Sequence, residues 1–395
     1  MKYAVRQEGK RALGLYVHIP FCVRKCRYCD FCSLPVQDPD LHKEYVRKLT
    51  TEITLKRKLF PAHEVDSIYF GGGTPSSIDP SLIEGLIDAA VARYPVADDC
   101  EITLEANPGS LTDKSLRAYK AMGVNRMSIG VQSFQDKQLE FLGRIHTAEE
   151  ALLSCLGAEA AGFCNISIDL IFGVPGQAHN DWLYSLDIAR QLPVQHISFY
   201  SLQIEEGTPL HADVEAGRVE PVEDIEDRLM YHLAIRFLRD KGYQHYEISN
   251  CALPGFESRH NMKYWSMEDY AGFGLGAHSY VTKYTKDGRP RGLRLANTER
   301  LGDYLAARDA YSMLDAMHEN TVGDQLSEYV FLGLRRTAGI DLAHFKEVFG
   351  SDFWEKYGEE TSKLIQQGLL ERSDERLKLT ERGLDVANRV FSEYV

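Results

Sequence analysis

Short segments rich in β-branched and aromatic residues alternate with amphipathic segments along the first 240 residues of the chain. Alternation of this kind, with short connections, predicts parallel strands that are each followed by a helix. Six such steps occur, which favours an α/β fold of the partial (β/α)6 TIM-like barrel type, with a doubly wound sheet as the alternative. The predicted strands, in order, are LGLYVHI, VDSIYF, CEITLEA, RMSIGV, NISIDLIF and HISFYSL.

The segments between these strands carry helical signals. In DLHKEYVRKLTTEITLKRKL, apolar residues that include Tyr45 and Leu49 recur at helical spacing and fall on one face. Gly123 is positioned to end the helix predicted in LTDKSLRAYKAMG. Thr147 and Glu150 have the spacing of a capping box, which predicts the start of another helix.

From about residue 285 the pattern becomes helical, and we expect no further alternation with strands. The predicted units are a barrel over 1–240, a segment over 241–285 with the motif H-N-x-x-Y-W and a glycine-rich run, and a helical, winged-helix-like domain over 286–395. LERSDERLKLTERG predicts a short hairpin or wing, and LDVANRVFSEYV predicts a final helix. This last unit mixes acidic and basic residues and has no basic recognition helix, so a lid or partner-docking domain is favoured over DNA binding.

The charge balance narrows the function classes. The 395 residues include 45 Lys and Arg against 58 Asp and Glu, a net charge of −13, which disfavours non-specific binding to nucleic acid. No signal peptide precedes the first predicted strand, and no apolar run approaches the roughly 18 residues of a membrane span. We therefore expect a cytoplasmic protein, in which disulfides are rare and eight cysteines point to metal binding or catalysis.

Each predicted strand ends in a polar side chain or a glycine-rich turn. A cysteine loop follows the first strand, GGGTPS follows the second, and Glu105, Gln132, Asp169 and Gln203 mark the ends of the other four. The carboxyl ends of parallel strands meet at one edge of a sheet, where such folds bind their ligands. The sequence therefore predicts one site that the whole sheet builds.

The cysteine loop, CVRKCRYCDFC, brings Cys22, Cys26, Cys29 and Cys32 within eleven positions. Zinc sites usually combine two separated pairs, and a disulfide does not suit the expected compartment. Closely spaced thiolates in one loop are typical of an iron–sulfur cluster. If three cysteines ligate a four-iron cluster, the fourth iron keeps an open position for a substrate or cofactor.

The run YVHIPFCVRKCRYCDF resembles the signature of radical S-adenosylmethionine (SAM) proteins. More narrowly, the chain resembles the HemN/HemW branch, which contains oxygen-independent coproporphyrinogen III oxidase and a heme chaperone. GGGTPS, LEANP, GVQSF, IDLIFGVPGQ and HNMKYWSMEDYAGFGLGAHSY share the likeness, which spans roughly residues 13–280. The C-terminal part fits the helical domain that this branch appends to its radical SAM barrel.

The resemblance implies that Cys22, Cys26 and Cys29 ligate a [4Fe–4S] cluster and that SAM chelates the fourth iron. An electron from the cluster then breaks a carbon–sulfur bond of SAM, which implies an electron donor such as a flavodoxin or ferredoxin. The resemblance also implies residues that contact SAM: Tyr16 and Tyr28 flank it, and Glu105 binds it. Gly72, Gly73 and Thr74 would form the turn that contacts SAM. Gln132, Arg144 and Asp169 match positions that hold a second SAM in the oxidase.

Two departures separate the chain from the oxidase. Phe31 stands where the oxidase has an extra cysteine, so we predict that Cys32, one residue later, is not a ligand. The segment before Tyr16 is also shorter than the oxidase's. Both departures resemble the chaperone side of the branch.

The motif H-N-x-x-Y-W also belongs to the chaperone side, and its His260 is predicted to ligate heme iron. The alternative is a packed segment in which His260 makes a local hydrogen bond. The resemblance implies a chaperone that binds heme or a porphyrin and delivers heme to client hemoproteins. The alternatives are coproporphyrinogen III oxidase and an enzyme of another tetrapyrrole, and the sequence leaves open whether SAM is cleaved in turnover.

Overall fold

The computed structural model describes residues 9–286, 288–373 and 375–395. Its strands are β1 (Arg11–Ile19), β2 (His63–Gly72), β3 (Val96–Ala106), β4 (Arg126–Gln132), β5 (Ile166–Phe172), β6 (His196–Ser201), β7 (Gln244–Glu247), β8 (Asn250–Ala252), β9 (Tyr270–Phe273), β10 (His278–Tyr284), β11 (Pro290–Asn297), β12 (Leu314–Glu319), β13 (Ile340–Asp341), β14 (Leu370–Ser373) and β15 (Arg376–Leu379). Its α-helices are α1 (Pro39–Lys56), α2 (Pro80–Arg93), α3 (Asp113–Ala121), α4 (Asp136–Leu142), α5 (Ala148–Ala160), α6 (His179–Ala189), α7 (Pro209–Glu215), α8 (Asp224–Arg239), α9 (Arg259–Trp265), α10 (Leu301–Ala306), α11 (Val322–Gly333), α12 (Leu342–Phe349), α13 (Phe353–Gln366), α14 (Glu381–Asp385) and α15 (Ala387–Ser392).

The six predicted strands lie side by side in sequence order, β1 to β6, and neighbouring strands are parallel. A doubly wound sheet would reverse its strand order at a switch point, whereas a barrel keeps the order sequential. The predicted α/β fold of the partial-barrel type is therefore confirmed. The capping box of Thr147 and Glu150 starts α5 as predicted, and Tyr45 and Leu49 are buried on α1.

Further strands extend the sheet at both edges, and each is antiparallel to its neighbours except β9, which is parallel to β1. β8 and β7 follow β6, while β9 pairs with β1 and is followed by β10, β11 and β12 in a single twelve-stranded sheet. The expectation that strands no longer alternate with helices from about residue 285 is therefore wrong, because β11 and β12 lie beyond it with α10 between them. β12 is exposed along nearly its whole length and so lacks the apolar alternation that identifies a half-buried strand.

The C-terminal helices α11, α12 and α13 share a second apolar cluster with the hairpin of β14 and β15. This hairpin confirms the predicted wing. The predicted final helix is split into α14 and α15 at Val386, whose backbone is not helical. The division at residues 240 and 285 stays a prediction. Of the helices that the structure describes, none is both long and apolar enough to cross a membrane.

Candidate functional site

The cysteine loop connects β1 to α1 at the carboxyl edge of the parallel strands. Two backbone hydrogen bonds join its ends, from Cys22 N to Leu34 O (2.9 Å) and from Leu34 N to Pro20 O (2.7 Å). In the middle of the loop, Arg27 N donates to the carbonyl of Leu142 at the end of α4 (3.1 Å). The loop is thus held at its ends and at its centre, which fixes where its thiols lie.

Polar side chains that follow β2 and α4 donate to two of the cysteine sulfurs. Thr74 Oγ1 lies 3.5 Å from Cys22 Sγ, and Arg144 Nη1 lies 3.3 Å from Cys26 Sγ. Asn107 links the two donors, because its Oδ1 accepts from Arg144 Nη2 and its Nδ2 donates to Thr74 Oγ1 at 2.8 Å. Hydrogen bonds to sulfur favour the thiolate and stabilise sulfur ligands of iron–sulfur clusters.

Protonation of the thiols depends on burial and on these donors. Burial raises the pKa of Cys22, and the hydrogen bond from Thr74 opposes that rise. Burial likewise raises the pKa of Cys29. Iron binding would release these protons, since metals bind thiolates. Within the described ranges, no group of three His, Cys, Asp or Glu side chains already stands in a metal-holding arrangement. Cluster ligation by Cys22, Cys26 and Cys29 therefore stays a prediction, which the sulfur donors fit.

Cys32 lies apart from these donors. A Cβ atom added to Gly276, in the turn after β9, would lie 3.6 Å from Cys32 Sγ. The side chain of Cys32 packs against the main apolar core, and its carbonyl accepts a hydrogen bond from His18 Nε2 (2.8 Å). The prediction that Cys32 is not a ligand is untested, and this placement is compatible with it.

The turn after β2 lies directly against the cysteine loop and leaves no room for side chains. Gly72 has φ +111°, and a Cβ there would come within 2.5 Å of the His18 ring. A Cβ on Gly73 would lie 2.6 Å from the carbonyl oxygen of Pro20. The amide of Gly72 donates to Glu105 Oε2 at 3.1 Å. Glycine is therefore required here for a close approach of two backbones.

Glu105, at the end of β3, is a partly buried carboxyl group with several partners. Its Oε1 accepts a hydrogen bond from Tyr69 Oη at 2.7 Å. Burial raises the pKa of Glu105 to about 7; the hydrogen bond from Tyr69 opposes the rise, and the negative charge of Asp169 adds to it. Burial also raises the pKa of Asp169. Two carboxyl groups that are costly to ionise together favour a cationic ligand group beside them.

The predicted tyrosines lie on two sides of this edge. Tyr16 is on β1, where its ring stacks 6.2 Å from Tyr69 and its hydroxyl lies 3.1 Å from His18 Nδ1. Since the Cys32 carbonyl accepts from Nε2 of His18, Nδ1 accepts from Tyr16. Tyr28 lies in the cysteine loop and packs against a small apolar cluster that includes Ile171.

Gln132 and Arg144 converge over the backbone of Gly130. A Cβ added to Gly130 would lie 2.9 Å from Gln132 Nε2, 3.0 Å from Asn107 Oδ1 and 3.5 Å from Arg144 Nη2. Gln132 has φ +65°, a conformation that is strained for a residue with a side chain and is often found at functional sites. Asp169 instead neighbours Glu105, and a hydrogen bond from Ser198 opposes the rise of its pKa.

His260 is buried inside the barrel, with 1% of its surface exposed. Its Nδ1 lies 2.9 Å from Ser67 Oγ, and its Nε2 lies 2.9 Å from Tyr264 Oη. Burial, and next the positive charge of Lys263, lower the pKa of His260 to about 3, so the ring is neutral at physiological pH. Helix α9 thus fills the barrel beneath the strand ends.

In this conformation neither nitrogen of His260 is free to ligate iron. The local hydrogen bond that the sequence offered as the alternative is present with Tyr264, and a second, long-range bond joins His260 to Ser67. Heme ligation by His260 stays a prediction, and it would require one of these bonds to break and the ring to become accessible.

Several polar residues inside the barrel were not predicted. His18 and Asn107 adjoin predicted motifs, while Tyr69 and Arg126 lie earlier on their strands. Arg126 is 2% exposed, and its Nε has no hydrogen-bond partner among the described residues. Its charge opposes the rise of the Glu105 pKa. The signal that could have found these side chains is the period-two recurrence of polar residues within strands, since alternate positions face the same side.

Comparison with protein families matches this site to a known group. The model of the radical SAM superfamily matches residues 16–189, which include the cysteine loop and five of the parallel strands. The model of the HemN C-terminal domain matches residues 321–386, which include most of the second apolar cluster, from α11 to α14.

Relatives that align with nearly the whole chain identify its family within the radical SAM superfamily. The heme chaperone HemW of Bacillus subtilis (strain 168) is 35% identical over 384 residues, which cover 96% of this chain and 98% of that protein. The chain belongs to the HemW family of radical SAM proteins. HemW of Escherichia coli (strain K12) is 39% identical over 289 residues, 71% of this chain and 75% of that protein. The mitochondrial radical S-adenosyl methionine domain-containing protein 1 of Bos taurus is 33% identical over 395 residues, 97% of this chain and 87% of that protein.

A solved structure supports the same fold. The coproporphyrinogen III oxidase HemN from Escherichia coli superposes with a TM-score of 0.82, covering 98% of this chain and 90% of that chain. The two sequences are 22% identical. HemW membership and this superposition confirm the predicted radical SAM barrel with an appended C-terminal domain, and the radical SAM family implies a [4Fe–4S] cluster and SAM as cofactors.

Proposed function

We propose that this chain is a heme chaperone, which binds a [4Fe–4S] cluster and SAM at the carboxyl edge of the barrel and carries heme to client hemoproteins. The observation that carries the proposal is the 35% identity to a heme chaperone HemW over 96% of the chain. That similarity includes the cysteine loop, the H-N-x-x-Y-W motif and the C-terminal domain together, and not the radical SAM segment alone.

In this proposal, Cys22, Cys26 and Cys29 hold the cluster. The donors Thr74 and Arg144 support the sulfurs of Cys22 and Cys26. Asn107 is hydrogen-bonded to both donors, so one hydrogen-bond network connects the sulfurs of Cys22 and Cys26. When bound, the cluster supplies an electron that can break a carbon–sulfur bond of SAM.

SAM is held by the groups that surround the cluster loop. Glu105 offers a partly buried carboxylate to the amino group or ribose hydroxyls of SAM, and it is already oriented by Tyr69 and the Gly72 amide. Tyr16 and Tyr28 supply aromatic surface on either side. Gln132, Arg144 and Asp169 offer an amide, a guanidinium and a carboxylate, a set that suits the carboxylate and ammonium of a second SAM.

The proposal includes a cytoplasmic location and two classes of protein partner. All eight cysteines are free thiols in the described structure, which suits the reducing cytoplasm. A low-potential one-electron donor, such as a flavodoxin or ferredoxin, would reduce the cluster. Client hemoproteins would accept the heme, which is cargo and is released unchanged.

A cysteine exchange tests the cluster. After anaerobic reconstitution with iron and sulfide, we expect Cys29→Ala to lose the low-temperature EPR signal of a reduced [4Fe–4S] centre. The matched control is Cys32→Ala, in the same loop, which keeps its iron and its EPR signal because Cys32 Sγ lies toward Gly276. Zinc instead of iron in the reconstituted protein, or loss of the cluster in both variants, would contradict the three-cysteine assignment.

A second assay separates the chaperone from the oxidase. Coproporphyrinogen III is incubated anaerobically with the reconstituted protein, SAM and a reductant, and its loss of carboxylates is followed by mass spectrometry. We expect no loss. The reason is that Phe31 stands at the position of the oxidase's extra cysteine, so the chain has no thiol at that position. The side chain of Phe31 is 64% exposed. Multiple turnovers of decarboxylation would show that the chain is an oxidase.

A further inference from the structure

Arg126, the first residue of β4, carries a buried charge that has no partner. Its side chain points into the barrel, because the alternate residues Met127 and Ile129 pack in the main apolar core. Arg126 is 2% exposed, and its guanidinium makes no hydrogen bond and no ion pair with any residue that the structure describes. Arginine is rarely buried unless it is paired, because an uncompensated charge is costly to bury. The unpaired guanidinium therefore points to a function.

The guanidinium lies between carboxyl groups of the two neighbouring strands. In the register of β3 and β4, Thr103 pairs with Arg126. Glu105 pairs two residues further along with Ser128, which makes Glu105 a diagonal neighbour of Arg126 on the same face. On the other side of β4, Ser128 pairs with β5 two residues before Asp169, which therefore shares this face as well. Arg126 thus stands beside both carboxyl groups and forms an ion pair with neither in the described structure.

The charge of Arg126 acts on both of these carboxyl groups. Desolvation raises the pKa of Glu105 to about 7 and the charge of Asp169 adds to the rise, while the hydrogen bond from Tyr69 and the charge of Arg126 oppose it. Desolvation also raises the pKa of Asp169, and a hydrogen bond from Ser198 and the charge of Arg126 oppose that rise. Arg144 acts on Asp169 in the same direction as Arg126.

The other titratable groups nearby are neutral or occupied. Desolvation lowers the pKa of His196 and His260, so both imidazoles are uncharged at physiological pH. Glu101, an acid of β3 on the same face, accepts hydrogen bonds from the amides of Arg259 (3.3 Å) and His260 (3.2 Å) at the start of α9. Desolvation raises the pKa of the tyrosines around Glu105 and Arg126, which are Tyr16, Tyr69, Tyr200, Tyr246 and Tyr264.

We propose that Arg126 is a positioning residue for SAM, which keeps the carboxylates of Glu105 and Asp169 available to the cationic groups of SAM without binding those carboxylates itself. The inference rests on the proposed function and deepens it. A guanidinium in a direct ion pair would occupy the carboxylate oxygens. An apolar residue would leave two acids that repel each other, and one of them would take up a proton. An unpaired guanidinium on the diagonal position avoids both results.

The first test needs neither the cluster nor SAM. Glutamate labelled with ¹³C at its side-chain carboxyl is incorporated, and the NMR signal of Glu105 is assigned by its loss in Glu105→Gln. This signal is then titrated in wild type, Arg126→Met and Arg126→Lys. Opposite charges about 7–8 Å apart shift a pKa by about one unit at an effective dielectric constant of about 20. We expect Arg126→Met to raise the pKa of Glu105 by about this amount, and Arg126→Lys to keep the wild-type value because it keeps the charge.

The second test measures SAM affinity on the reconstituted chain, from the change that SAM causes in the EPR spectrum of the reduced cluster. If the pKa of Glu105 moves from about 7 to about 8, Arg126→Met binds SAM about eightfold more weakly at about pH 6.5 and about threefold more weakly at about pH 7.5. At about pH 9 it binds nearly as wild type does. The matched control is Arg117→Met on α3, where a 74% exposed arginine pairs with Asp113. This control and Arg126→Lys should follow wild type at every pH.

The outcomes separate the inference from the proposed function. An unchanged titration of Glu105 in Arg126→Met, or a loss of SAM affinity that is equal at all three pH values, overturns the role of Arg126 and leaves the proposed function intact. A wild-type chain that binds no SAM at any pH contradicts the proposed function, and the inference with it. If Arg126→Met does not fold, Arg126→Gln, which is also neutral but keeps polar atoms, takes its place in both tests.

Discussion

Glu105 is a partly buried carboxyl group, and desolvation raises its pKa to about 7, close to physiological pH. Its position at the end of β3 was predicted, because strand ends can be located from the sequence. The partners that set its pKa were not, since Tyr69 lies 36 residues away in the chain and faces it only after the strands pair. Asn107 could not be predicted for the same reason. Its role depends on hydrogen bonds to Thr74 and Arg144, and no local sequence pattern connects these residues to it.

At this scale we predict a pH dependence. A carboxyl group with a raised pKa in the folded state stabilises the fold at low pH, and this contribution is lost as pH rises from about 4.5 through about 7. In wild type, this loss lowers the unfolding free energy between about pH 5 and about pH 7.5. In Glu105→Gln, we expect that decrease to be smaller by about 2 kcal/mol, after an allowance for solvent screening. Urea denaturation of the cluster-free protein at both pH values measures this.

The control for this prediction is Glu206→Gln, at an exposed position. It should leave the pH dependence of the unfolding free energy as it is in wild type. An unchanged pH slope in Glu105→Gln would mean that Glu105 has an ordinary pKa in the folded protein.

The turn after β2 and the cysteine loop after β1 form one unit at the level of structural elements. Adjacent parallel strands bring their ends together, and the absence of side chains on the turn lets the two backbones touch. The parallel strands themselves were predictable because both of their faces are buried and their residues are apolar and β-branched. The outer strands β11 and β12 were not, because a partly exposed edge carries polar residues at most positions.

At the scale of elements we predict the effect of one added methyl group. Gly73→Ala places a Cβ 2.6 Å from the Pro20 carbonyl, so a backbone must move. The expected loss is about 1–3 kcal/mol of unfolding free energy, together with reduced iron uptake on reconstitution because the cysteine loop shifts. The measurements are urea denaturation and iron analysis.

Gly85→Ala is the matched control, because that glycine lies in α2 with open space around its Cβ position. It should be neutral, or more stable by up to about 1 kcal/mol, since alanine favours helices over glycine. Full iron uptake by Gly73→Ala would contradict this prediction. It would show that the turn after β2 can move away from the cysteine loop without disturbing the cysteines.

At the scale of the whole molecule, the chain combines two regions that a single motif search would not connect. The barrel edge has the groups proposed to hold a cluster and SAM, and a separate cleft lies between the outer strands and the C-terminal domain. The residues of the first region could be named from the sequence because they cluster in motifs, and their roles stay predictions. The cleft draws residues from β1, β10, α11 and α12, which are up to about 338 positions apart, so only the folded chain assembles it.

The most direct test of the account is the fate of heme on the complete protein. The cluster-loaded chain is mixed anaerobically with heme, then with SAM and a reductant, and the bound tetrapyrrole is quantified and analysed by mass spectrometry. The account predicts that heme binds at one per chain and is recovered chemically unchanged, as cargo. Absence of bound heme, or recovery of an altered porphyrin, would contradict it.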